Sequence, residues 1–211
     1  MSKHQMNDSA KEPSLNWMEA RASASDEDLI RDFLAGSEGM FDQLVLKYQN
    51  QVFNLCNRML GNTADAADCA QETFIKVFYG LRQFQFKSSF STWLYRIAVN
   101  TCKNKLASAE YRRRDLSLSL SAPKPEGDSP MEISDISRSP AEVYEKKETA
   151  EQIMKAIAAL PYKQRILIVL CDLEEKTYQE IVEITGWRLG TVKSKLARAR
   201  HLLRGKLEGA L

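Results

Sequence analysis

Residues 177–200 read TYQEIVEITGWRLGTVKSKLARAR. The order of residue types in this stretch predicts a helix, a tight turn and a second helix. Thr177 is a hydroxyl placed to cap a short helix whose Ile181 and Ile184 face inward. Gly186 permits the turn, Trp187 can plug the space beneath it, and Thr191 begins or lies just inside the second helix. At 100° per residue, Val192, Leu196, Ala199, Leu203 and Leu207 fall on one stripe of that second helix. Opposite them lie Gly190, Ser194, Ala197 and His201, which are small or polar. Arg198 stands on one shoulder, Lys193, Arg200 and Arg204 on the other, and Lys195 and Lys206 nearer the core edge. Small residues at the centre let a backbone enter a major groove, and basic flanks reach the phosphates on either side. Ser194 and Arg198 are the side chains set to touch base edges.

Working outward, the remainder of the chain is patterned for helices. The 211 residues are 44% hydrophobic and 27% charged, with nine Gly and six Pro, and neither strand alternation nor hairpin dipeptides recur. Helices are predicted over SASDEDLIRDFLAG, capped by Ser25 or Asp26 and ended by Gly36, and over MFDQLVLKYQNQVFNLCNRML, stopped by Gly61-Asn62. TADAADCAQETFIKVFYGLRQF and SFSTWLYRIAVNTCKNKLASAEYRR give a third and a fourth. Residues 115–140 are rich in Ser, Pro and acids without a sustained helical period. Helical patterning returns in AEVYEKKETAEQIMKAIAAL and YKQRILIVLCDLEE. The predicted fold is all-α: two small helical domains joined by a flexible linker, the C-terminal one a helix-turn-helix. The boundaries are an N-terminal arm at 1–24, a first domain at 25–112, an acidic linker at 113–140 and a second domain at 141–211.

The net charge of +2 hides a segregated distribution. Residues 82–114 carry eight basic and one acidic residue, and residues 151–211 carry eleven and seven. Residues 115–150 between them carry four and eight. Two positive blocks on patterned helices, separated by a negative one, predict two contacts with a polyanion. Within the first block, Trp93, Arg96, Asn100 and Lys103 share one face of the fourth helix. The loop before it adds Phe84, Phe86, Lys87 and Phe90. Aromatics interleaved with cations and hydroxyls suit unpaired bases beside a phosphate chain. Phe86 and Phe90 are expected in the core.

On the third helix, Ala67, Ala70, Phe74, Val77, Phe78 and Leu81 are predicted as the buried stripe, with Asp65, Asp68 and Glu72 outside. Ile75 and Tyr79 beside those acids make a mixed patch suited to a protein partner. Cys56, Cys69, Cys102 and Cys171 lack metal-ligand spacing and sit within helical patterns. His4 and His201 are far apart, and no phosphate-cradling glycine loop occurs, so neither a metal, a cofactor nor an enzyme is predicted. No apolar signal core or membrane-length run is present, which predicts a cytoplasmic protein. An ordinary helix-turn-helix regulator is the competing reading. Such proteins pair on half-sites, and no clear dimerisation helix is evident here.

Three stretches together resemble the extracytoplasmic-function (ECF) sigma factors of bacterial RNA polymerase, in the sigma-E-like branch. FDQLVLKYQNQVFNLCNRMLGNTADAADCAQETFIKVF is similar to that family's first block. FSTWLYRIAVNTCKN is similar to its promoter-melting helix, and LPYKQRILIVLCDLEEKTYQEIVEITGWRLGTVKSKLARAR to its C-terminal domain. The resemblance implies a subunit that binds core polymerase, selects promoters and promotes melting, in response to stress or to the envelope. It implies that Asp65, Asp68, Gln71, Glu72 and Ile75 dock on the clamp helices of the polymerase, with a further contact on its flap. It implies that Phe84, Lys87, Ser88, Ser89 and Asn100 capture a flipped base of the minus-ten element beside Trp93, with Arg96 and Lys103 on nearby phosphates. Arg188, Thr191, Lys193, Ser194, Ala197 and Arg198 would lie on the minus-thirty-five element. An anti-sigma factor, in some cases membrane-anchored, is the further partner implied. Val182 and Arg188 depart from the family's usual Ala and Pro, and the N-terminal arm has no counterpart in its pattern.

Overall fold

The computed structural model describes residues 24–108 and 140–208, with side chains from 149 onward in the second stretch. The N-terminal arm, most of the acidic linker and the LSLSLS segment lie outside the described residues. Eight α-helices form the described chain: α1 Asp26–Leu34, α2 Gly39–Leu60, α3 Thr63–Gly80, α4 Phe90–Ala107, α5 Pro140–Ala158, α6 Tyr162–Ile168, α7 Tyr178–Thr185 and α8 Leu189–Glu208. A 3-10 turn, Leu81–Gln83, follows α3, and a π turn, Val169–Leu173, extends α6. No strand occurs among the described residues.

The helix ends follow local chemistry. Ser25 Oγ accepts the Asp28 N–H at 3.2 Å, and three acids fill the first turn of α1, where the helix dipole favours them. Asn62 caps α3 by accepting the Asp65 N–H at 2.9 Å. Ser89 caps α4 by accepting the Thr92 N–H at 3.1 Å.

The chain packs as two compact units, divided between Leu44 and Val45 within α2. In the first unit, Leu29, Ile30 and Phe33 form the buried face of α1, and the Phe33 and Phe41 rings lie 5.7 Å apart. In the second, α3 packs along α4, and α8 packs on α5, α6 and α7. The run from Ile166 to Leu170 is fully buried, because every side of the α6–π segment faces other helices. α4 also packs directly on α7, so segments on either side of residues 109–139 form one body.

Polar side chains lock that junction. The Glu174 carboxylate accepts both the Arg58 guanidinium and, at 2.6 Å, the Tyr95 hydroxyl. Lys176 lies 4.4 Å over the Tyr95 ring. Burial, then the bond to Glu174 and its charge, push the Tyr95 hydroxyl far above its usual pKa. The Arg165 guanidinium donates to the backbone oxygens of Met59, Ala158 and Leu160. The Tyr162 hydroxyl donates to Val99 O at 3.3 Å. All but the Tyr162 bond are charge-assisted and lie in a partly desolvated place, so removing one partner strands the others.

Glu174→Ala is therefore expected to lower stability by about 2 kcal/mol, seen as a Tm lower by roughly 4–8 °C for a domain of this size. A Tyr95→Phe, Glu174→Gln double-mutant cycle should show coupling of at least about 0.5 kcal/mol. Additive effects would mean that the bond contributes nothing.

Candidate nucleic-acid interface

The α7–α8 pair is built by its own sequence. Thr177 and Glu180 form a reciprocal cap: Thr177 Oγ1 accepts the Glu180 N–H at 3.2 Å, and the Glu180 carboxylate accepts the Thr177 N–H at 2.8 Å. Partial burial works to raise the Glu180 pKa, but the bonds from Thr177 and the charge of Lys176 outweigh it and hold the carboxyl below its usual range. Gly186 ends α7 at φ 71°, in the left-handed region that only glycine enters without strain, and its N–H reaches Val182 O at 2.8 Å. Ile181 and Ile184 are buried, as are Val192, Leu196 and Ala199 on α8. Leu203 and Leu207 are half-buried.

The outward side of α8 matches its sequence pattern. Gly190, Ser194, Ala197 and His201 are exposed, as are Arg188, Lys193, Arg198 and Arg204, while Thr191 is half-exposed. Ser194 Oγ donates to Thr191 O at 3.2 Å. Lys195 lies over the half-buried Trp187 ring, 5.8 Å from its centre. Arg200 departs from the expectation of a phosphate-facing shoulder. Its guanidinium grips Asp172 through Nε at 3.2 Å and Nη2 at 2.5 Å, and that bond raises its pKa further.

The α4 region carries the second set. Arg96, Asn100 and Lys103 are exposed along one face, and Trp93 is half-buried at its start. Trp93 lies against Gly80, where an added Cβ would stand only 3.3 Å from the indole. The preceding loop reverses two expectations. Phe84, read as a base-capturing ring, is buried at 8% exposure, 5.1 Å from the Trp93 ring and 6.2 Å from that of Phe90. Phe86, expected in the core, is 37% exposed. The 3-10 turn shifts the chain's phase ahead of α4, so the inward aromatic is Phe84. Lys87 is exposed and Ser88 half-buried, while the Ser89 hydroxyl is engaged as the α4 cap.

On α3 the buried stripe is rotated from the one predicted. Ala66, Cys69, Ala70, Thr73 and Val77 are inside, while Ala67 is exposed and Phe78 is 38% exposed. Asp65, expected outside, is 3% exposed and pairs with Lys105 of α4 at 3.2 Å. Its burial is tolerable because that ammonium neutralises it. The bond to Asp65 raises the Lys105 pKa against the opposing effect of burial. Asp68, Gln71, Glu72 and Ile75 are exposed as expected, joined by Phe78 and by Tyr79 at 73% exposure. Glu72 is tied to Lys76 at 2.7 Å. Cys56, Cys69 and Cys102 are buried thiols. No helix among the described residues is long and apolar enough to cross a membrane.

Comparison with known proteins bears on these faces. Sigma-70 region 2 matches residues 44–112, and Sigma-70, region 4 matches residues 150–203. The chain is 35% identical over 187 residues to the RNA polymerase sigma-H factor of Pseudomonas aeruginosa, covering 88% of this chain and 95% of that protein. It is likewise 35% identical over 185 residues to the ECF RNA polymerase sigma-E factor of Escherichia coli K12, covering 87% and 95%. Its fold is similar to CnrH, solved in complex with the cytosolic domain of CnrY, at TM-score 0.61 and 22% identity, covering 88% of this chain and 99% of that one. It is also similar in fold to the sigma factor RpoE of Bartonella quintana, solved with the anti-sigma factor NepR, at TM-score 0.61 and 20% identity, covering 81% and 98%.

Asp65→Asn should destabilise the protein by about 1–2 kcal/mol through its bond to Lys105. Lys105 has a raised folded-state pKa, so this stabilisation is full below the unfolded lysine value of about 10.4 and fades as pH climbs through the folded one. The gap in thermal stability between wild type and variant should therefore be constant from pH 7 to about 10 and narrow only above that. A gap independent of alkaline pH would argue against the pair.

Proposed function

Because this chain belongs to the ECF sigma factors of RNA polymerase, we propose a division of its promoter-directing work among three faces. The protein directs core RNA polymerase to promoters and starts transcription. In our reading, Asp68, Gln71, Glu72, Ile75 and the neighbouring Phe78 and Tyr79 of α3 dock on the clamp helices of core polymerase. Exposed aromatic and aliphatic groups beside acids suit such a partner. Buried Asp65 holds α4 in place behind that face. Arg96, Asn100, Lys103 and Lys87, with the edge of Trp93, meet the opened minus-ten strand, and Ser88 and the Ser89 cap shape the loop beside it. Phe84 supports that loop from within.

Arg188, Thr191, Lys193, Ser194, Ala197 and Arg198 meet the minus-thirty-five element. The observation that carries the reading is the outward side of α8. A centre of glycine, serine, alanine and histidine flanked by exposed cations is a surface that a major groove accepts. The protein acts in the cytoplasm, as a regulator and not as an enzyme. It is held by an anti-sigma factor and released by a stress or envelope signal.

This reading requires the α4–α7 junction to part. In the closed body α4 and α8 are both neighbours of α7, so they lie no more than about two interhelix distances, or roughly 20 Å, apart. The two promoter elements lie about 25 base pairs apart, on the order of 85 Å along the axis. Residues 109–139 supply 31 residues of chain, whose covalent reach is about 100 Å. The linker length is thus sufficient once Glu174 releases Arg58 and Tyr95.

The test is run-off transcription with purified core polymerase on pooled genomic promoter fragments. New start sites sharing two spaced motifs are expected. Silence, together with no co-migration with core in a native gel, would overturn the reading. Arg198→Ala should lower use of those promoters roughly tenfold, the worth of one good base contact, while leaving core binding intact. Asn100→Ala should reduce strand opening more than closed-complex formation. Equal activity on linear duplex templates would contradict the role given to α4.

A further inference from the structure

The side chains that hold Glu174 ask of it only that it be an anion. The Arg58 guanidinium reaches one carboxylate oxygen, Oε1, and the Tyr95 hydroxyl donates to the other, Oε2, at 2.6 Å. The two donors come from α2 and α4, and the acceptor from the turn ahead of α7. The Arg58 side chain is 30% exposed, that of Glu174 10% and Tyr95 2%, so the three meet in a largely desolvated place. Two donors from separate helices, one of them charged, converge on the two oxygens of one group. Such a cradle suits a phosphate as well as a carboxylate.

Promoter binding takes the carboxylate away. Contact with both promoter elements requires α4 and α7 to part, and Glu174 leaves with the second half of the chain. Lys176, which lies 4.4 Å over the Tyr95 ring, leaves with it. Arg58 and Tyr95 stay on the first half, where the guanidinium has lost its counter-charge. Donors stripped of a partner favour an anion that restores it. The side of α4 uncovered in this way adjoins the side that carries Arg96, Asn100 and Lys103, which are exposed. Tyr95 directly precedes Arg96 and is turned from it by about 100°. Val99, one turn after Tyr95, is likewise covered in the closed body, beneath Tyr162. DNA lying along Arg96 and Lys103 therefore meets the Tyr95 side of the helix next.

We propose that Arg58 and Tyr95 form a binding site for a backbone phosphate of promoter DNA, and that Glu174 is its internal stand-in in the closed body. The proposal rests on the sigma-factor reading above, including the parting of α4 from α7. The contact positions the DNA and reads no sequence. It exchanges one anion for another, so opening the junction does not strand Arg58. The closed body and the DNA complex compete for the same two donors. Glu174 thereby restrains the free protein from DNA, and bound DNA holds the junction open.

The experiment uses full-length protein assembled with core polymerase. The probe is a fluorescein-labelled promoter duplex from a start site found by run-off transcription, and its affinity is measured across a KCl series. Arg58→Met keeps an apolar stem and removes the charge. Its promoter affinity should fall about tenfold at about 0.1 M salt, and the slope of log K against log salt should become shallower by about 0.9, as for one lost phosphate contact. Tyr95→Phe should weaken binding roughly threefold with the slope unchanged. Glu174→Gln breaks the same junction and controls for stability. The Tm of the free protein should fall in Arg58→Met and Glu174→Gln alike, while Glu174→Gln binds the promoter at least as tightly as wild type. An Arg58→Met slope equal to that of wild type would overturn the proposal. So would equal losses of promoter affinity in Arg58→Met and Glu174→Gln, which would make the effect one of stability. Loss of core affinity in Arg58→Met would assign the guanidinium to an acidic group on the polymerase and overturn it too. Wild-type protein that forms no complex with core would instead overturn the sigma reading, and that outcome is scored before any variant is compared.

Discussion

One carboxylate closes the junction of the second compact unit. Glu174 lies in the turn ahead of α7, yet its partners come from α2 and α4, more than 70 residues earlier. A carboxylate whose side chain is only 10% exposed would be costly if unpaired. Arg58 and Tyr95 remove that cost only when the chain before residue 109 meets the chain after residue 140 in one arrangement. The ion pair therefore acts less as glue than as a register mark, since apolar surfaces alone would tolerate some sliding. Arg165 works in the same way with backbone oxygens, fastening the ends of α2 and α5.

The local chemistry of α7 and α8 is separate from that constraint, and it was readable from sequence. Thr177 caps, Gly186 turns, and Val192, Leu196 and Ala199 bury one stripe, because each property depends on neighbours within one or two helical turns. The exposed centre of α8 followed from the same projection. The paired partners were not readable. Nothing within ten residues of Glu174 announces Arg58, and nothing near Arg200 except its own charge points to Asp172. Contacts of that separation are fixed by packing, which a periodicity does not encode.

The misplacements on α3 and in its loop have a related physical origin. α3 carries alanines at positions 64, 66, 67 and 70, so its apolar pattern is broad and its phase poorly determined. The deciding contribution is the Lys105 ammonium of α4, which makes a buried Asp65 acceptable and turns Ala67 outward. Ahead of α4, a 3-10 turn of three residues breaks the period on which a projection relies. Phe84 and Phe86 then exchange places. Two rings that are chemically identical in the sequence differ in the fold as foundation and outcrop.

The grip of Asp172 on Arg200 has a consequence for how α8 responds to ions. A cation that neutralises a DNA phosphate releases condensed counterions, and the salt sensitivity of binding counts such cations at about 0.9 each. Arg200 comes with its own carboxylate, so the pair is electrically neutral and displaces no ions on approaching DNA. The basic residues of α8 that register in a salt titration are then fewer than those in its sequence. Much of what Arg200 contributes is instead the anchoring of α8 to the segment after α6, and because that pair is itself partly exposed, rising ionic strength loosens the anchor as well.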